Sequence, residues 1–392
     1  NNLQNKLNET TSDIINVMRQ CTYKGIIVYP HAVHWQPMQR PQHLLRAFAE
    51  SGYLCFFCEW DTDGKGIREA AKNLFIVYGE ENLLPALQNK CPIVMVTYHK
   101  QAVFVDLLPQ KVLWFDALDN LDFFSGATES AVPEIYEKLI ANADIVTYSA
   151  DNLRQYVRDR KDAFKLNNCV YLDDFRAEQT EQEPIEELKQ IKENGRKIVG
   201  YYGAIEEWFD IAAIERILSK TKYEIVLIGK AGINLERIQH ERLHHYDAVP
   251  YQELKHYTFY FDVAMIPFIV NKLTNSVSPV KFFEYIAQGL PVVSSAIHEM
   301  RQYQNDSVRI YHDYDELIGA LDFLCSNKPD LRLLDSIAQN NTWKMRANKV
   351  ISELGKSVYG LQSVADISND GCIAVETVTF FKYDGTTYYS GG

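Results

Sequence analysis

Two successive series of short apolar runs, each run separated from the next by a helix-length stretch, restrict this chain to few folds. In the first series the runs are GIIVYP (25–30), LCFFCEW (54–60), LFIVYG (74–79), PIVMVTY (92–98), KVLWFDA (111–117) and ADIVTYS (143–149). Many are apolar at consecutive positions rather than at every second one. That pattern belongs to strands covered on both faces, as in a parallel sheet flanked by helices. Helical stretches such as RPQHLLRAFAESG (40–52) and AVPEIYEKLIANA (131–143) lie between them. The second series restarts at KIVGYYG (197–203). It continues through EIVLIGKAG (224–232), HHYDAVPY (244–251), DVAMIPF (262–268), PVVSS (291–295) and SVRIYH (307–312). The expected helices of this half are Ile211–Ser219, Tyr251–Phe259, 279–288 and 314–327. Repeated β-α-β units of this length predict an α/β protein with two doubly wound, Rossmann-like domains facing each other across a cleft. Ligands of such sheets lie at the carboxyl ends of the strands.

The expected boundaries follow from the same pattern. A polar leading helix occupies 1–23, with Ile14, Ile15, Val17 and Met18 as its apolar stripe. The N-terminal domain runs over 24–180 and is closed by NCVYL (168–172). An acidic, polar linker with a short helix spans 181–196, the C-terminal domain 197–340, and a closing helix 341–366. The remaining 367–392 contains TVTFFKYDGTTYYSGG, which reads equally as an edge strand of this fold or as the opening of a further domain.

With 46% apolar and 23% charged residues the chain reads as an ordinary globular protein. A formal charge of −12 argues against nucleic acid as a partner unless a basic patch is well segregated. The seven cysteines are odd in number and scattered, as expected in a reducing compartment. Cys55 and Cys58 form a CxxC, but on a strand residues i and i+3 face opposite ways, so two buried thiols are expected rather than a metal or redox pair. No apolar run is long enough to span a bilayer and no signal peptide is legible, which gives a cytoplasmic expectation.

The stretch Asn271–Ser295, NKLTNSVSPVKFFEYIAQGLPVVSS, carries the most chemistry. Ser278 is read as the N-cap and Pro279 as the first helical residue. The backbone amides of Ser276, Val277 and Ser278 are then expected free at a positive helix end, where an anion binds well. Lys281 sits in the first turn against the helix dipole, an arrangement that makes sense if a phosphate occupies the site. Glu284 shares its face one turn later. The plainer reading is an exposed i,i+3 pair on a core helix.

VGYYGAIEEWFD (199–210), EIVLIGKAG, VPYQELKHYTFYFDVAMIPF (249–268) and LTNSVSPVKFFEYIAQGLPVV (273–293) together resemble the donor-binding half of retaining GT-B glycosyltransferases. The group resembled is the family 4-like, bacterial surface-polysaccharide type. WQPMQRPQHLLRAFAESGY (35–53) resembles the first loop and helix of the acceptor half, and FDALDNLDFF, ANADIVTYSADNL and NNCVYLDDF fit the same group. The resemblance covers nearly all of 24–356 and implies roles for single residues. Glu284 is similar to the second glutamate of the family's Glu-x7-Glu motif, which holds the ribose hydroxyls; a carboxylate accepts from both hydroxyls of a diol. The Ser276–Ser278 amides and Lys281 are expected to take the diphosphate. At the first glutamate of that motif stands Ser276, and Glu206-Glu207 follow Gly203 near where relatives carry a cation. Lys230 or Lys272 is the expected replacement charge. Gly203 is read as allowing close backbone approach, or as a simple turn glycine, and Tyr251 as stacking on the base or opening its helix.

In the acceptor half the expected cleft-facing catalytic residues are Arg40, His34, His99 and Asp116, with His43 beside them. Arg154, Arg158, Arg160 and Lys161 read as a solvated helix face or as a dock on an anionic membrane. Asp61-Thr62-Asp63 is a DxD, the metal signature of the other glycosyltransferase fold, read here as a loop. No GxGxxG follows the first strand, and GxSxG, Walker A and HExxH are missing. The resemblance thus implies a nucleotide-sugar donor, a saccharide or lipid-linked acceptor, no metal and no other cofactor, and the second reading of the basic run adds peripheral membrane contact. Two alternatives stay open, an epimerase on the same fold and a non-catalytic module of a larger synthase with further catalytic domains.

Overall fold

The structure, a computed structural model, describes residues 2–121, 131–176, 184–235 and 237–359. Its contacts divide the chain into two compact units, one drawn from 1–149, 153–166 and 343 onward, the other from 150–152 and 167–342.

The first unit is built on an eight-stranded sheet: β1 (Ile26–Tyr29), β2 (Leu54–Glu59), β3 (Ile67–Ala71), β4 (Leu74–Tyr78), β5 (Ile93–Val96), β6 (Val112–Ala117), β7 (Ile145–Tyr148) and β8 (Phe164–Lys165). Their order is β3-β4-β2-β1-β5-β6-β7-β8. All pairings are parallel except β3 with β4. The continuous apolar runs become strands buried at every position, as in β1, β2, β5 and β6. Cys55 and Cys58 are buried thiols on β2. The sequence reading missed β3, because an edge strand needs no buried face and IREAA is half polar and mostly exposed. The helix Arg40–Glu50 buries Leu44, Leu45, Ala47 and Phe48. The closing helix Trp343–Tyr359 belongs to this unit: the buried Trp343 ring lies parallel to His43, centroids 5.2 Å apart and planes 9° apart.

The second unit holds β9 (Ile198–Tyr202), β10 (Glu224–Ile228), β11 (Leu243–Tyr246), β12 (Val263–Ile266), β13 (Val292–Ser295) and β14 (Val308–Tyr311). They pair in parallel in the order β11-β10-β9-β12-β13-β14. Counted within the unit this is 3-2-1-4-5-6, the doubly wound order, and its topological switch point lies between β9 and β12. The run NCVYL was expected to close the first unit. Instead it lies in the second, where Val170 N donates to Asn341 O at 3.1 Å; the last first-unit ladder contact before it is Leu166 N to Tyr148 O at 2.9 Å. The expected linker contains the helix Glu186–Glu193. The tail 367–392 lies outside the described residues. Among those residues, no helix is long and apolar enough to cross a membrane.

Candidate functional site

The second unit's switch point is built from two glycines and one cation. β9 and β10 are followed directly by Gly203 (φ +126°) and Gly229 (φ +141°), backbone conformations that a side chain rarely tolerates. Gly203 N donates to Ile228 O at 2.8 Å, and a Cβ at Gly229 would stand 2.2 Å from Gly203 O. A Cβ at Gly203 would meet Lys281 at 3.1 Å from Cε and 3.2 Å from Nζ. The ammonium therefore rests against the turn that ends β9. It is also 5.1 Å from the ring centroids of both Tyr201, on β9, and Phe268, just past β12. Aromatic faces attract a cation at this range. Ligands of doubly wound sheets lie at such switch points, and Lys281 brings its charge to this one.

Lys281 and Glu284 lie one turn apart on the helix Val280–Ala287. Glu284 is buried and accepts a hydrogen bond from the Tyr202 hydroxyl. Burial pushes its carboxyl up to about 7, opposed by the Tyr202 bond, by Lys281 and by the Tyr251 hydroxyl, which also reaches it. Lys281 keeps some exposure as a residue, but its head group is enclosed by the rings and Gly203. Burial accordingly lowers it to about 8, with Glu284 opposing. Both groups therefore change charge close to neutrality, and an anion arriving at Nζ stabilises the protonated lysine.

The helix start differs from expectation. Pro279 occupies the N-cap position and the helix begins at Val280. Ser276 N and Val277 N are not free: they donate to Leu273 O at 3.0 Å and Thr274 O at 3.2 Å, closing a 3-10 turn over Thr274–Ser276. Asn271 Oδ1 fixes that turn by accepting from Thr274 N at 3.0 Å. Ser278 is buried and tied to Asn168, whose N donates to Ser278 Oγ at 3.2 Å and whose Nδ2 donates to Ser278 O at 2.6 Å. The expected cradle of three free amides is thus corrected: the amides of Ser276 and Val277 are satisfied by the local turn, and the cation packed against Gly203 is Lys281. Lys230 and Lys272 are exposed on the loops after β10 and β12. The Glu206 carboxylate lies over Gly232, where a Cβ would stand 2.0 Å from Oε2. Tyr251, whose hydroxyl lies by Glu284, meets the Phe175 ring edge to face at 5.5 Å.

In the first unit, Arg40, at the start of its helix, and Asp116, at a strand end, were expected to face a cleft open to solvent. They are closed to it, side chains 1% and 0% exposed, and bind each other through two hydrogen bonds. Thr147 Oγ1 donates to Asp116 Oδ1 at 2.6 Å, and Trp114 Nε1 donates to Thr147 Oγ1 at 2.8 Å. This satisfied network holds the start of the Arg40 helix on β6 and β7. His99 is likewise buried, its ring 4.2 Å from Tyr98 and its Nδ1 3.4 Å from the Tyr136 hydroxyl. His34 alone of the four catalytic candidates is exposed. Two of the four basic residues are spent on the fold, Arg154 Nη2 donating to Arg160 O at 3.0 Å and Arg160 holding Asp162, Ile140 O and Ala143 O, while Arg158 and Lys161 are exposed.

Sequence reasoning missed Tyr202, Tyr201 and Phe268, which shape the surroundings of Glu284 and Lys281. The signal was present in VGYYG and IPF, since residues at strand ends of a doubly wound sheet face its ligand side. It named no partners, because the helix that meets the two tyrosines lies about eighty residues further along the chain.

A two-sheet α/β chain with the 3-2-1-4-5-6 order in its second unit has the GT-B fold, and comparisons with known proteins agree. The chain is 23% identical over 235 residues to Bacillus subtilis (strain 168) TuaH, provisionally named a teichuronic acid biosynthesis glycosyltransferase; the match covers 56% of this chain and 58% of that one. The chain thus spans a little over half the length of this curated relative. The catalytic domain of starch synthase IV from Arabidopsis thaliana, bound to ADP and acarbose, superimposes with a TM-score of 0.64 at 13% identity over 86% of this chain and 99% of that one. An E. coli trehalose-6-phosphate protein bound with UDP-2-fluoro glucose gives 0.62 at 13% identity over 84% and 98%. At such identities the likeness is one of fold. No protein-family model matches the chain.

Proposed function

We propose that this chain transfers a glycosyl group from a nucleotide-diphosphate sugar to a hydroxyl of a saccharide or lipid-linked acceptor. The transfer retains the anomeric configuration, needs no metal and serves bacterial surface-polysaccharide synthesis on the cytoplasmic side. The observation that carries the reading is the Lys281 ammonium, seated against Gly203 at the switch point with Glu284 one turn away. The relative named for teichuronic acid biosynthesis and the two structures holding UDP-2-fluoro glucose and ADP support it.

In this reaction the bond from the anomeric carbon to the diphosphate breaks, and its electron pair leaves with the diphosphate. The acceptor oxygen forms the new bond and gives up its proton to the departing diphosphate. The largest demand on the protein is to stabilise the growing negative charge, which a partly dehydrated lysine does well. Glu284 is then the acceptor for ribose hydroxyls, exchanging its Tyr202 contact for the diol. Membrane contact follows from a lipid-linked acceptor rather than from the 154–161 run.

A thermal-shift screen against UDP, GDP, dTDP and CMP tests the reading. Protection by at least one diphosphate, followed by transfer of labelled sugar in the presence of chelator, is the expected result. Absence of protection by every nucleotide overturns it. Sugar interconversion without an acceptor would move the assignment to an epimerase.

A further inference from the structure

We infer that the first unit binds one divalent transition-metal ion, of the Mn2+ or Zn2+ class, between His34, Glu59 and Asp63. Glu59 is the last residue of β2, Asp63 lies in the loop after it, and His34 lies in the loop after β1. All three stand at the carboxyl edge of the parallel sheet, beside the β1/β5 switch point. His34 Nδ1 lies 3.3 Å from Glu59 Oε2 and 3.3 Å from Asp63 Oδ2. All three donor atoms fall within 4.8 Å of one another. Metal–ligand bonds of about 2.1 Å put neighbouring donors roughly 3.0–3.4 Å apart on an octahedral or tetrahedral shell, so the present spacing needs little rearrangement.

The second observation is the state of Glu59. Its side chain is 7% exposed. Oε1 accepts from Trp35 N, but Oε2, aimed at His34, accepts no hydrogen bond among the described residues. A buried carboxylate oxygen without a donor calls for a cation. A protonated His34 is one candidate, and a metal ion held by neutral His34 is the other. The second uses all three side chains, because Asp63 then faces an ion instead of adding a second carboxylate to one imidazole. The ring of His34 is also set in place, 4.6 Å from the Trp60 ring, which packs His31 on the same indole at 5.0 Å. One imidazole with two carboxylates suits Mn2+ or Zn2+ better than Ca2+ or Mg2+. The exposure of His34 (61%) and Asp63 (41%) leaves coordination positions for water or an anionic oxygen. This site lies in the other unit from Lys281, and the proposed transfer step does not pass through it.

The test is Mn2+ titration of the tag-free full chain, read by loss of the free-ion EPR signal, with Zn2+ as competitor. One ion per chain is expected. His34→Ala and Asp63→Asn, both at accessible positions, should each weaken binding about tenfold or more while leaving the circular dichroism spectrum unchanged. Asp61→Asn, in the neighbouring exposed carboxylate of the same DTD, should bind as the unaltered chain does. Glu59→Gln adds a fourth arm only if it folds. No binding at millimolar ion overturns the inference, as does binding undiminished in His34→Ala and Asp63→Asn. So does equal weakening in Asp61→Asn, which marks diffuse attraction to an acidic loop.

Discussion

The Arg40 guanidinium meets the Asp116 carboxylate in a two-pronged contact, Nε to Oδ2 at 2.7 Å and Nη2 to Oδ1 at 2.9 Å, with both side chains closed to solvent. Removing one partner leaves a buried charge with nothing opposite it. Arg40→Ala or Asp116→Ala should therefore lower unfolding free energy by about 3–5 kcal/mol in urea titrations. The double change Arg40→Met with Asp116→Leu should lose less than either alone. A stable Asp116→Ala protein that had lost only turnover would instead place the pair at the reacting atoms.

Lys281 should distinguish a diphosphate from the nucleoside that carries it. Lys281→Met is expected to weaken binding of the preferred nucleoside diphosphate about tenfold to a hundredfold, by calorimetry, and to leave the bare nucleoside nearly unaffected. Equal losses for both ligands would remove the lysine from the phosphate position. Its lowered value near 8 also fixes a pH dependence. Diphosphate affinity in the unaltered chain should decline as pH rises from 8 toward 10, while Lys281→Met shows no such decline.

Glu284 ties stability to pH. Folded, it holds its proton up to about 7, against a value of 4.5 without the surrounding structure. Between those two values the folded chain binds more protons than the unfolded one, so raising the pH through that window works against folding. Unfolding free energy measured from pH 4.5 to 7.5 should fall more steeply in the unaltered chain than in Glu284→Gln. Parallel curves would show that this carboxyl titrates normally.

Gly229→Ala should damage both the fold and the site. Its φ of +141° strains any side chain, and the new Cβ would press on the carbonyl of Gly203, an atom with no freedom to yield. A loss of about 1–3 kcal/mol in unfolding free energy is expected, with weakened diphosphate binding. A thermal midpoint equal to that of the unaltered chain would show that the turn is more pliable than its contacts imply.

The strands that bury both faces were legible one by one, since β1, β2, β5 and β6 announce themselves as unbroken apolar runs and DVAMIPF and PVVSS do the same in the second unit. The edge strand β3 was not, because its residues are mostly exposed and IREAA shows no continuous apolar run. At the site, Lys281 and Glu284 share a helical face by spacing alone, and that much needed no coordinates. Their partners are another matter: Tyr202 and Gly203 are about eighty residues away, and only the folded sheet brings the ends of β9 and β12 to this helix.

The amino-acid sequence by itself determined the two α/β series and the helix that carries Lys281 and Glu284, because these rest on local periodicity and spacing, and it carried the resemblance to GT-B enzymes in the residues of its motifs. Tertiary structure alone decided which polar groups are spent and which stand ready. The amides of Ser276 and Val277 and the side chains of Arg40, Asp116 and Arg160 are consumed by the fold, whereas Glu59 Oε2 is left aimed at His34. The reason is physical: a buried donor or acceptor takes whatever partner packing brings within hydrogen-bond reach, and that partner is set by contacts between distant segments.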